Sequence, residues 1–168
     1  IVREVIWAPL LDRFVLSGER DQDLDIYLAN WERTEFVNLT NTPDVVETVA
    51  VVSPDGKWLA IDCAHVDPDI CIVGTDGAGR RRLTGSPAWE VEARWSADSQ
   101  TLVYVSNAEG ISDLYLFALA NSKTSRLAPK GGRHSAPDWS PEGSLIVYQS
   151  DAAGNWDIWI IAPDGGSP

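Results

Sequence analysis

The sequence is poor in the residues on which cofactor and nucleic-acid chemistry usually depend. Its 168 residues include two cysteines, two histidines and no methionine, and 13 Lys and Arg stand against 25 Asp and Glu. The resulting net charge of −12 argues against nucleic acid or an anionic membrane as a partner, because phosphate groups require a basic surface. No apolar run approaches the ~20 residues of a membrane span, so we expect no membrane insertion by this segment.

The motifs of common enzymes are also missing. The sequence contains no Gly-x-Ser-x-Gly elbow, no glycine-rich phosphate loop and no His-Glu-x-x-His pair. His65 and His134 both fall in predicted, exposed loops, and no spacing of Ser and Asp around them marks a catalytic triad. We therefore predict that the chain is not an enzyme and that it has no catalytic residues, no metal site and no cofactor.

One spacing recurs through the whole chain. Four aspartates stand 44 positions apart, each followed by an apolar residue and then by Tyr, Trp or Cys: Asp25, Asp69, Asp113 and Asp157. A Leu-Thr pair keeps the same spacing at Leu39-Thr40 and Leu83-Thr84, and continues as Leu127-Ala128. A fixed period of about 40–45 residues filled with strand-like runs is the signature of β-propeller blades.

Each repeat contains four short strand-like runs. In the third repeat they cover residues 92–95, 102–105 and 114–117 and a last run that ends at Leu127, with polar turns between them. Turns at this spacing leave no room for an amphipathic helix. We therefore predict an all-β fold of four-stranded antiparallel blades in a single domain, with blades at about 1–40, 41–84, 85–128 and 129–168.

The fourth repeat contains Trp139-Ser-Pro-Glu-Gly143 and Asp157-Ile158-Trp159, and the second contains Ser53-Pro-Asp-Gly-Lys57 and Arg82-Leu-Thr84. These repeats resemble the WD40-like propeller repeat of the TolB family. The first departs from the pattern, with Ala8-Pro9-Leu10-Leu11 at the turn. The resemblance implies a larger propeller, usually of six or more blades, of which this chain forms part; a complete four-bladed ring is the alternative.

The last blade is expected to be incomplete. Four periods of 44 residues exceed the length of the chain, and the fourth repeat lacks its Leu-Thr strand. Residues 1–6 correspond to the innermost strand of the first blade and so do not replace it. We predict three strands in the fourth blade, with an outer edge that is open or covered by other polypeptide.

Structural roles are predicted for the repeat aspartates and for Arg80-Arg81-Arg82. We expect each aspartate to accept hydrogen bonds from turn amides and so to fix its hairpin. The run Asp21-Gln-Asp23-Leu-Asp25 has alternating carboxylates but lacks the Gly and the distal Glu of a calcium loop, so calcium binding there is left open. The three arginines are expected to be solvated side chains on an edge strand.

The two cysteines lie on neighbouring predicted strands. A simple hairpin places Cys63 opposite Ile70 and therefore puts the two sulfurs on different faces. This register argues against a disulfide, and Cys71 is predicted to be a small buried hydrophobic residue. The sequence alone leaves the redox state of the pair open.

The remaining candidate for function is a surface formed by loops. Loops on a rigid scaffold commonly carry recognition, and here they hold Trp89, Trp156, His65 and His134. Tryptophan is a residue type that anchors interfaces, although Trp89 and Trp156 would alternatively pack between blades. The resemblance to TolB implies an extracytoplasmic, non-catalytic protein-binding or scaffolding module whose partners are other subunits or further blades. The alternative is the propeller of a prolyl-oligopeptidase-like serine peptidase whose catalytic domain lies outside this chain.

Overall fold

The protein is built from short β-strands. The computed structural model describes residues 2–20, 23–32, 34–64, 66–127 and 131–166. Within these ranges it contains fifteen β-strands and no helix, which confirms the all-β prediction. The described residues accordingly include no helix that could span a lipid bilayer.

Sheets 1 and 2 each consist of four consecutive antiparallel strands. Their runs are rich in the β-branched and aromatic residues that suit a pleated, half-buried surface. Sheet 1 contains β1 (Val2–Ala8), β2 (Arg13–Arg20), β3 (Asp23–Ala29) and β4 (Phe36–Asn38). Sheet 2 contains β5 (Val46–Val52), β6 (Trp58–Ala64), β7 (Pro68–Gly74) and β8 (Arg81–Arg82). In both sheets the strand order follows the chain, as in a propeller blade.

Sheets 3 and 4 continue the pattern. Sheet 3 contains β9 (Glu90–Trp95), β10 (Thr101–Ser106), β11 (Asp113–Ala118) and β12 (Lys123–Arg126). Sheet 4 contains three strands in the described residues, β13 (His134–Trp139), β14 (Ile146–Ser150) and β15 (Asp157–Ile161). The incomplete fourth blade is thus confirmed. Strand β1 pairs with β2, as the sequence predicted for the innermost strand of the first blade.

The turn between the first two strands explains the repeated Ser-Pro-Asp-Gly pattern. In sheet 2 the Ser53 hydroxyl donates to the Asp55 carboxylate over 2.6 Å and accepts the amide of Trp58 over 3.0 Å. The hydrogen bond from Ser53 lowers the pKa of Asp55. Gly56 has a φ of 73°, which glycine adopts without steric cost. Sheet 1 turns at Ala8-Pro9-Leu10-Leu11 instead, where the Leu11 amide donates to the Ala8 carbonyl over 3.0 Å.

Contacts divide the chain into two compact units, Ile1–Gly85 with sheets 1 and 2, and Ser86–Pro168 with sheets 3 and 4. In each unit, apolar side chains from both sheets pack together in a shared core. The core of the first unit contains Ala8, Val15, Ile26, Leu39, Val45, Leu59, Ile61, Cys63, Cys71 and Val73. The core of the second contains Val103, Val105, Leu114, Leu127, Ile146, Tyr148 and Ile161.

Sheet 2 departs from the other blades by one residue of register. Three repeat aspartates lie opposite the residue seven positions earlier: Asp25 opposite Gly18, Asp113 opposite Ser106, and Asp157 opposite Ser150. Asp69 instead lies opposite Cys63, six positions earlier. A one-residue slip moves a side chain to the other face of its sheet, so this offset decides which residues of β6 and β7 share a face.

The offset brings Cys63 and Cys71 together in a disulfide, and the expectation of sulfurs on different faces is wrong. Cys63 lies opposite Asp69 rather than Ile70, and Cys71 lies opposite Ile61. Both cysteines therefore project from the same face, with their Cα atoms 5.9 Å apart. Both side chains are buried in the core of the first unit.

Candidate functional site

The repeat aspartates tie the outermost strand to the rest of each blade. In sheet 1, Asp25 accepts a hydrogen bond from the side-chain amide of Asn38 over 2.7 Å and one from the Thr40 hydroxyl over 3.3 Å. The backbone amide of Thr42 donates to the same carboxylate over 3.3 Å. Asp25 is buried, and these three donors replace the water that it loses on folding.

Sheets 2 and 3 place arginine at the position of Asn38. Arg82 Nη2 lies 2.5 Å from Asp69 Oδ2, and Arg126 Nε donates to Asp113 Oδ2 over 2.5 Å. The expectation that the repeat aspartates bind hairpin-turn amides is therefore corrected. Their side chains point across the sheet toward the last strand, so the partner comes from a residue 13 positions later.

Asp157 differs from the other three because the described residues of sheet 4 contain no fourth strand. Its carboxylate is exposed and accepts one hydrogen bond from the side-chain amide of Asn155 over 2.7 Å. Among the described residues, Asp157 therefore has no outer-strand partner like Asn38, Arg82 or Arg126.

A second row of buried polar side chains lies at the inner strands. Glu47, Glu90 and His134 each stand opposite a residue near the end of the second strand of their blade, at Cys63, Ser106 and Ser150. The hydroxyls of Ser86 and Ser106 donate to Glu90. The 44-residue spacing does not reveal this row, because Glu47 lies 43 positions before Glu90. The one-residue register offset of sheet 2 nevertheless brings Glu47 to the equivalent position.

Glu47 is a fully buried carboxylate in the first unit. Arg80 donates to its Oε1 through Nε over 3.0 Å and through Nη2 over 2.7 Å, and the Thr42 hydroxyl donates over 3.3 Å. Its Oε2 has no hydrogen-bond partner among the described residues. Burial raises the pKa of Glu47, and the hydrogen bonds and the charge of Arg80 oppose that rise only in part.

His134 belongs to this row, so its predicted place in an exposed loop is wrong. It is the first residue of β13 and is buried, because the inner strand begins earlier than the sequence suggested. Its ring packs edge-on against Tyr148 with centroids 5.4 Å apart. Its Nε2 lies 3.9 Å from Asp113 Oδ1. His134 therefore supports the blade from within and does not present its ring to a partner.

The three consecutive arginines also differ from expectation. Arg80 pairs with Glu47, and Arg82 pairs with Asp69. Arg81 makes no ion pair with the residues that the structure describes, and its side chain is exposed on β8. The sequence could not reveal this, because the two acids that bind Arg80 and Arg82 lie on other strands of the sheet.

Arg133 and Trp156 form an exposed cation–π pair in the second unit. The guanidinium carbon of Arg133 lies 5.4 Å from the centroid of the Trp156 ring, which is 48% exposed. The amide and Nε of Arg133 donate to Asp151 over 2.6 and 2.8 Å. The amide of Asp151 donates back to the Arg133 carbonyl over 3.2 Å. The loop before β13 and the loop before β15 are therefore held together beneath the ring.

Trp89 occupies the position one repeat before Arg133. Its amide donates to the Asn107 side chain over 3.0 Å, and its carbonyl lies 3.4 Å from the Asn107 amide. Its ring is partly buried and packs against the core of the second unit. His65, the remaining predicted contact residue, and Asp21 of the possible calcium run lie outside the described residues.

The outer face of sheet 1 carries exposed aromatic side chains that the sequence did not distinguish from ordinary core residues. Phe14 stacks on Trp31 with centroids 5.6 Å apart, and Trp7 packs edge-on against both. Trp31 is 69% exposed. A cavity of about 450 Å³ opens beside them and is lined by Val2, Val5, Phe14, Leu16, Ala29, Trp31 and Phe36.

The family of the chain is shown by a match to a family model, in agreement with the repeat and the four sheets. The family model of the TolB β-propeller domain matches residues 52–168. The chain belongs to that family. No curated protein matches the sequence significantly. Among the described residues, no group of three or more His, Cys, Asp or Glu side chains is placed to hold a metal ion.

Solved structures share the fold of this TolB-like chain. TolB from Acinetobacter baumannii superposes with a TM-score of 0.80 at 20% identity, covering 99% of this chain and 42% of that one. Putative TolB from Agrobacterium tumefaciens gives 0.80 at 23%, covering 99% and 60%. Prolyl oligopeptidase B from Galerina marginata gives 0.77 at 12%, covering 98% and 26%. This chain thus spans about half the length of the TolB chains that it matches.

Proposed function

We propose that this chain is a non-catalytic, protein-binding propeller module of the TolB type. The observation that carries the proposal is the apolar outer face of sheet 1, with Trp7, Phe14 and Trp31 beside a cavity of about 450 Å³. Contiguous exposed apolar patches on soluble proteins mark contact sites for other proteins. Exposed tryptophan adds the residue type that most often anchors such contacts.

We infer that another blade covers this face, supplied by a second subunit or by further polypeptide of the same protein. Phe14 and Leu16 of β2 hold the positions that Leu59 and Ile61 hold in β6, each opposite the equivalent residue of the third strand. Leu59 and Ile61 are fully buried in the core shared with sheet 1. The outer face of sheet 1 therefore has the side-chain pattern of a blade interface.

A second contact region is proposed at the loops that hold Trp156 and Trp89. Trp156 presents its ring to solvent and is fixed from below by Arg133 and Asp151. Trp89 and His134 support the same loops through packing. A rigid, amphipathic ring on a fixed loop loses little conformational freedom on binding, which favours an anchoring role.

We also propose an extracytoplasmic location. The Cys63–Cys71 disulfide supports it, because disulfides persist in oxidising compartments and are rare in the reducing cytosol. Fractionation of cells that express the native gene, with immunodetection of the chain, tests the location. Recovery in the cytosolic fraction alone would contradict it.

Two measurements test the proposed function. A turnover assay over ester and peptide substrates is expected to give no activity, and reproducible hydrolysis by the purified chain would overturn the non-catalytic assignment. Partners are identified by cross-linking from a photoreactive residue at position 156, and affinities are then measured by calorimetry. We expect Trp156→Ala to weaken binding by ~2 kcal/mol or more, while Leu10→Ala, at an exposed residue outside both proposed contact regions, serves as the control. Equal affinities for the wild type and Trp156→Ala would remove Trp156 from the interface.

The similarity to prolyl oligopeptidase B favours a second candidate, the propeller of a serine peptidase. The complete reading frame separates the two functions. An adjoining hydrolase domain with a Gly-x-Ser-x-Gly nucleophile elbow would decide for the peptidase.

A further inference from the structure

The guanidinium of Arg133 is exposed and yet held in one orientation. Its Nε donates to Asp151 Oδ2 over 2.8 Å, and its central carbon lies 5.4 Å from the centroid of the Trp156 ring. The backbone amide of Arg133 donates to the other oxygen of the same carboxylate over 2.6 Å. One edge and one face of the guanidinium are therefore occupied, while 61% of the side chain remains exposed.

The two terminal nitrogens of that guanidinium are not used by the protein. Within the residues that the structure describes, neither Nη1 nor Nη2 of Arg133 makes a hydrogen bond or an ion pair. Arg80, Arg82 and Arg126, in contrast, each place an Nη nitrogen on a carboxylate of their own sheet. The two nitrogens form a planar fork that matches a carboxylate, and a guanidinium already stacked on an aromatic ring loses little freedom when it binds one.

The support beneath Arg133 belongs to the repeat, but the arginine does not. One repeat earlier, the Trp89 amide donates to the Asn107 side chain over 3.0 Å, and the Asn107 amide donates to the Trp89 carbonyl over 3.4 Å. The Arg133 amide and the Asp151 amide make the same two contacts in sheet 4. Sheet 3 forms this arrangement with tryptophan in place of Arg133, so the construction of a blade does not require a cation at this position.

The carboxylate that holds Arg133 is itself fixed. Hydrogen bonds from the backbone amide and from the side chain of Arg133 hold the pKa of Asp151 below its usual value, so Asp151 stays ionised near neutral pH. Gly132 lies so close to Ala152 that an added Cβ at position 132 would approach the Ala152 Cα to 2.6 Å. The two loops therefore form a support that keeps the arginine fork in place.

The charges of the chain restrict the kind of anion that suits this fork. The net charge of −12 disfavours ligands with many negative charges, and Asp151 balances the charge of Arg133. Binding therefore depends on two parallel hydrogen bonds, which a carboxylate accepts through its two oxygens. The Trp156 ring, 48% exposed, places apolar surface beside the fork. The site suits one carboxylate that lies next to an apolar side chain.

We propose that Arg133 binds a carboxylate of the partner polypeptide through Nη1 and Nη2, next to an apolar side chain of the partner that contacts Trp156. The inference rests on the proposed function, because it names the chemical group that the loops around Trp156 recognise. Trp156 supplies apolar contact, and Arg133 selects the anion. An acidic side chain and a C-terminal carboxylate offer the same group, and two kinds of peptide separate these sources.

Three short peptides serve as probes of the full chain. Acetyl-Leu-Glu-amide carries a side-chain carboxylate, acetyl-Gly-Leu carries a C-terminal carboxylate, and acetyl-Leu-Gln-amide carries neither. Binding is followed by NMR at the indole N–H of Trp156 and the Nε–H of Arg133, which are assigned from the signals lost in Trp156→Phe and Arg133→Lys. We expect both signals to shift saturably with at least one of the first two peptides and not with the third. The peptide that binds identifies the source of the carboxylate.

Two variants test the fork. Arg133→Lys keeps the positive charge but removes the planar fork, and it should weaken binding of the carboxylate peptide about fivefold, the scale of an exposed ion pair. Arg81→Gln removes an exposed arginine from β8 and should leave binding unchanged, which controls for net charge.

The proposal is overturned by no saturable shift below roughly 50 mM of either carboxylate peptide, by equal binding of the neutral peptide, or by equal binding to Arg133→Lys. The proposed function is tested separately with the cross-linked partner. Loss of partner affinity in Trp156→Ala but not in Arg133→Lys would retain the protein contact and reject the carboxylate.

Discussion

Gly132→Ala should both destabilise the second unit and loosen the loop that supports Trp156. Gly131 and Gly132 have φ values of 91° and 79°, so alanine at either position incurs a similar backbone cost of about 1 kcal/mol. Only at position 132 does the added Cβ meet the backbone, at 2.6 Å from both Cα and N of Ala152; at position 131 it meets nothing within 4 Å. Displacing that backbone adds about 1–3 kcal/mol.

The pair of variants isolates the steric term, because the loss of unfolded-chain freedom on Gly→Ala substitution is the same in both. Urea unfolding followed by tryptophan fluorescence should place Gly131→Ala about 1 kcal/mol below the wild type and Gly132→Ala a further 1–3 kcal/mol lower. Because Ala152 follows Asp151, which holds Arg133, Gly132→Ala should also weaken partner binding. Unfolding free energies of the two variants within ~0.5 kcal/mol of each other would refute the close approach on which the argument rests.

Three further changes test buried groups. The intact mass should show Cys63 and Cys71 oxidised, and replacing both by alanine should lower the free energy of unfolding by about 2–3 kcal/mol, the loop-closure term for a short ring; free thiols in the untreated chain would contradict the pairing. Burial raises the pKa of Glu47, so the stability of the wild type relative to Glu47→Gln should be greatest at acid pH and should fall as pH rises through that raised pKa. The fall should be about 1.4 kcal/mol per unit of pKa difference between the folded and unfolded states. A stability difference that does not change between pH 4 and 7 would contradict the raised pKa. Asp113→Asn should lower the free energy of unfolding in urea by about 2–3 kcal/mol, because Asp113 is buried and ion-paired. Glu35→Gln, at an exposed ion pair, should lower it by under ~0.5 kcal/mol. Equal losses would show that burial does not matter at Asp113.

The blades were predictable because the features that build them recur at a fixed spacing. The repeat aspartates, the Leu-Thr ends and the Ser-Pro-Asp-Gly turn are local signals. The Leu-Thr hydroxyl donates to the repeat aspartate in sheets 1 and 2, and the turn after Ser53, Ser96 or Ser140 closes with the same backbone hydrogen bond in sheets 2 to 4. The register of sheet 2 was not predictable in this way. It depends on where the hairpin between β6 and β7 closes, and a shift of one residue there decided whether Cys63 and Cys71 could meet.

The candidate contact residues were harder to predict because exposure depends on neighbours that a sequence does not display. His134 and Trp89 are found in sequence next to polar turn residues, yet one is buried and the other packs on a core. Trp156 is in a similar setting and is exposed. Glu47 and Arg80 are 33 positions apart, so their pairing appears only once the strands of sheet 2 are placed side by side.

The outer face of sheet 1, which we propose as a contact site, also bears on stability. Leu59 and Ile61 are buried where sheets 1 and 2 share a core, and burial of apolar area contributes roughly 25 cal/mol per Å². Phe14 and Leu16 hold the equivalent positions on the uncovered face of sheet 1, beside the exposed Trp31. A polypeptide that covers them gains the same kind of free energy that holds the two sheets together. Binding at this face is therefore continuous with folding, and a partner that occupies it should raise the stability of sheet 1 by an amount that grows with the logarithm of its affinity.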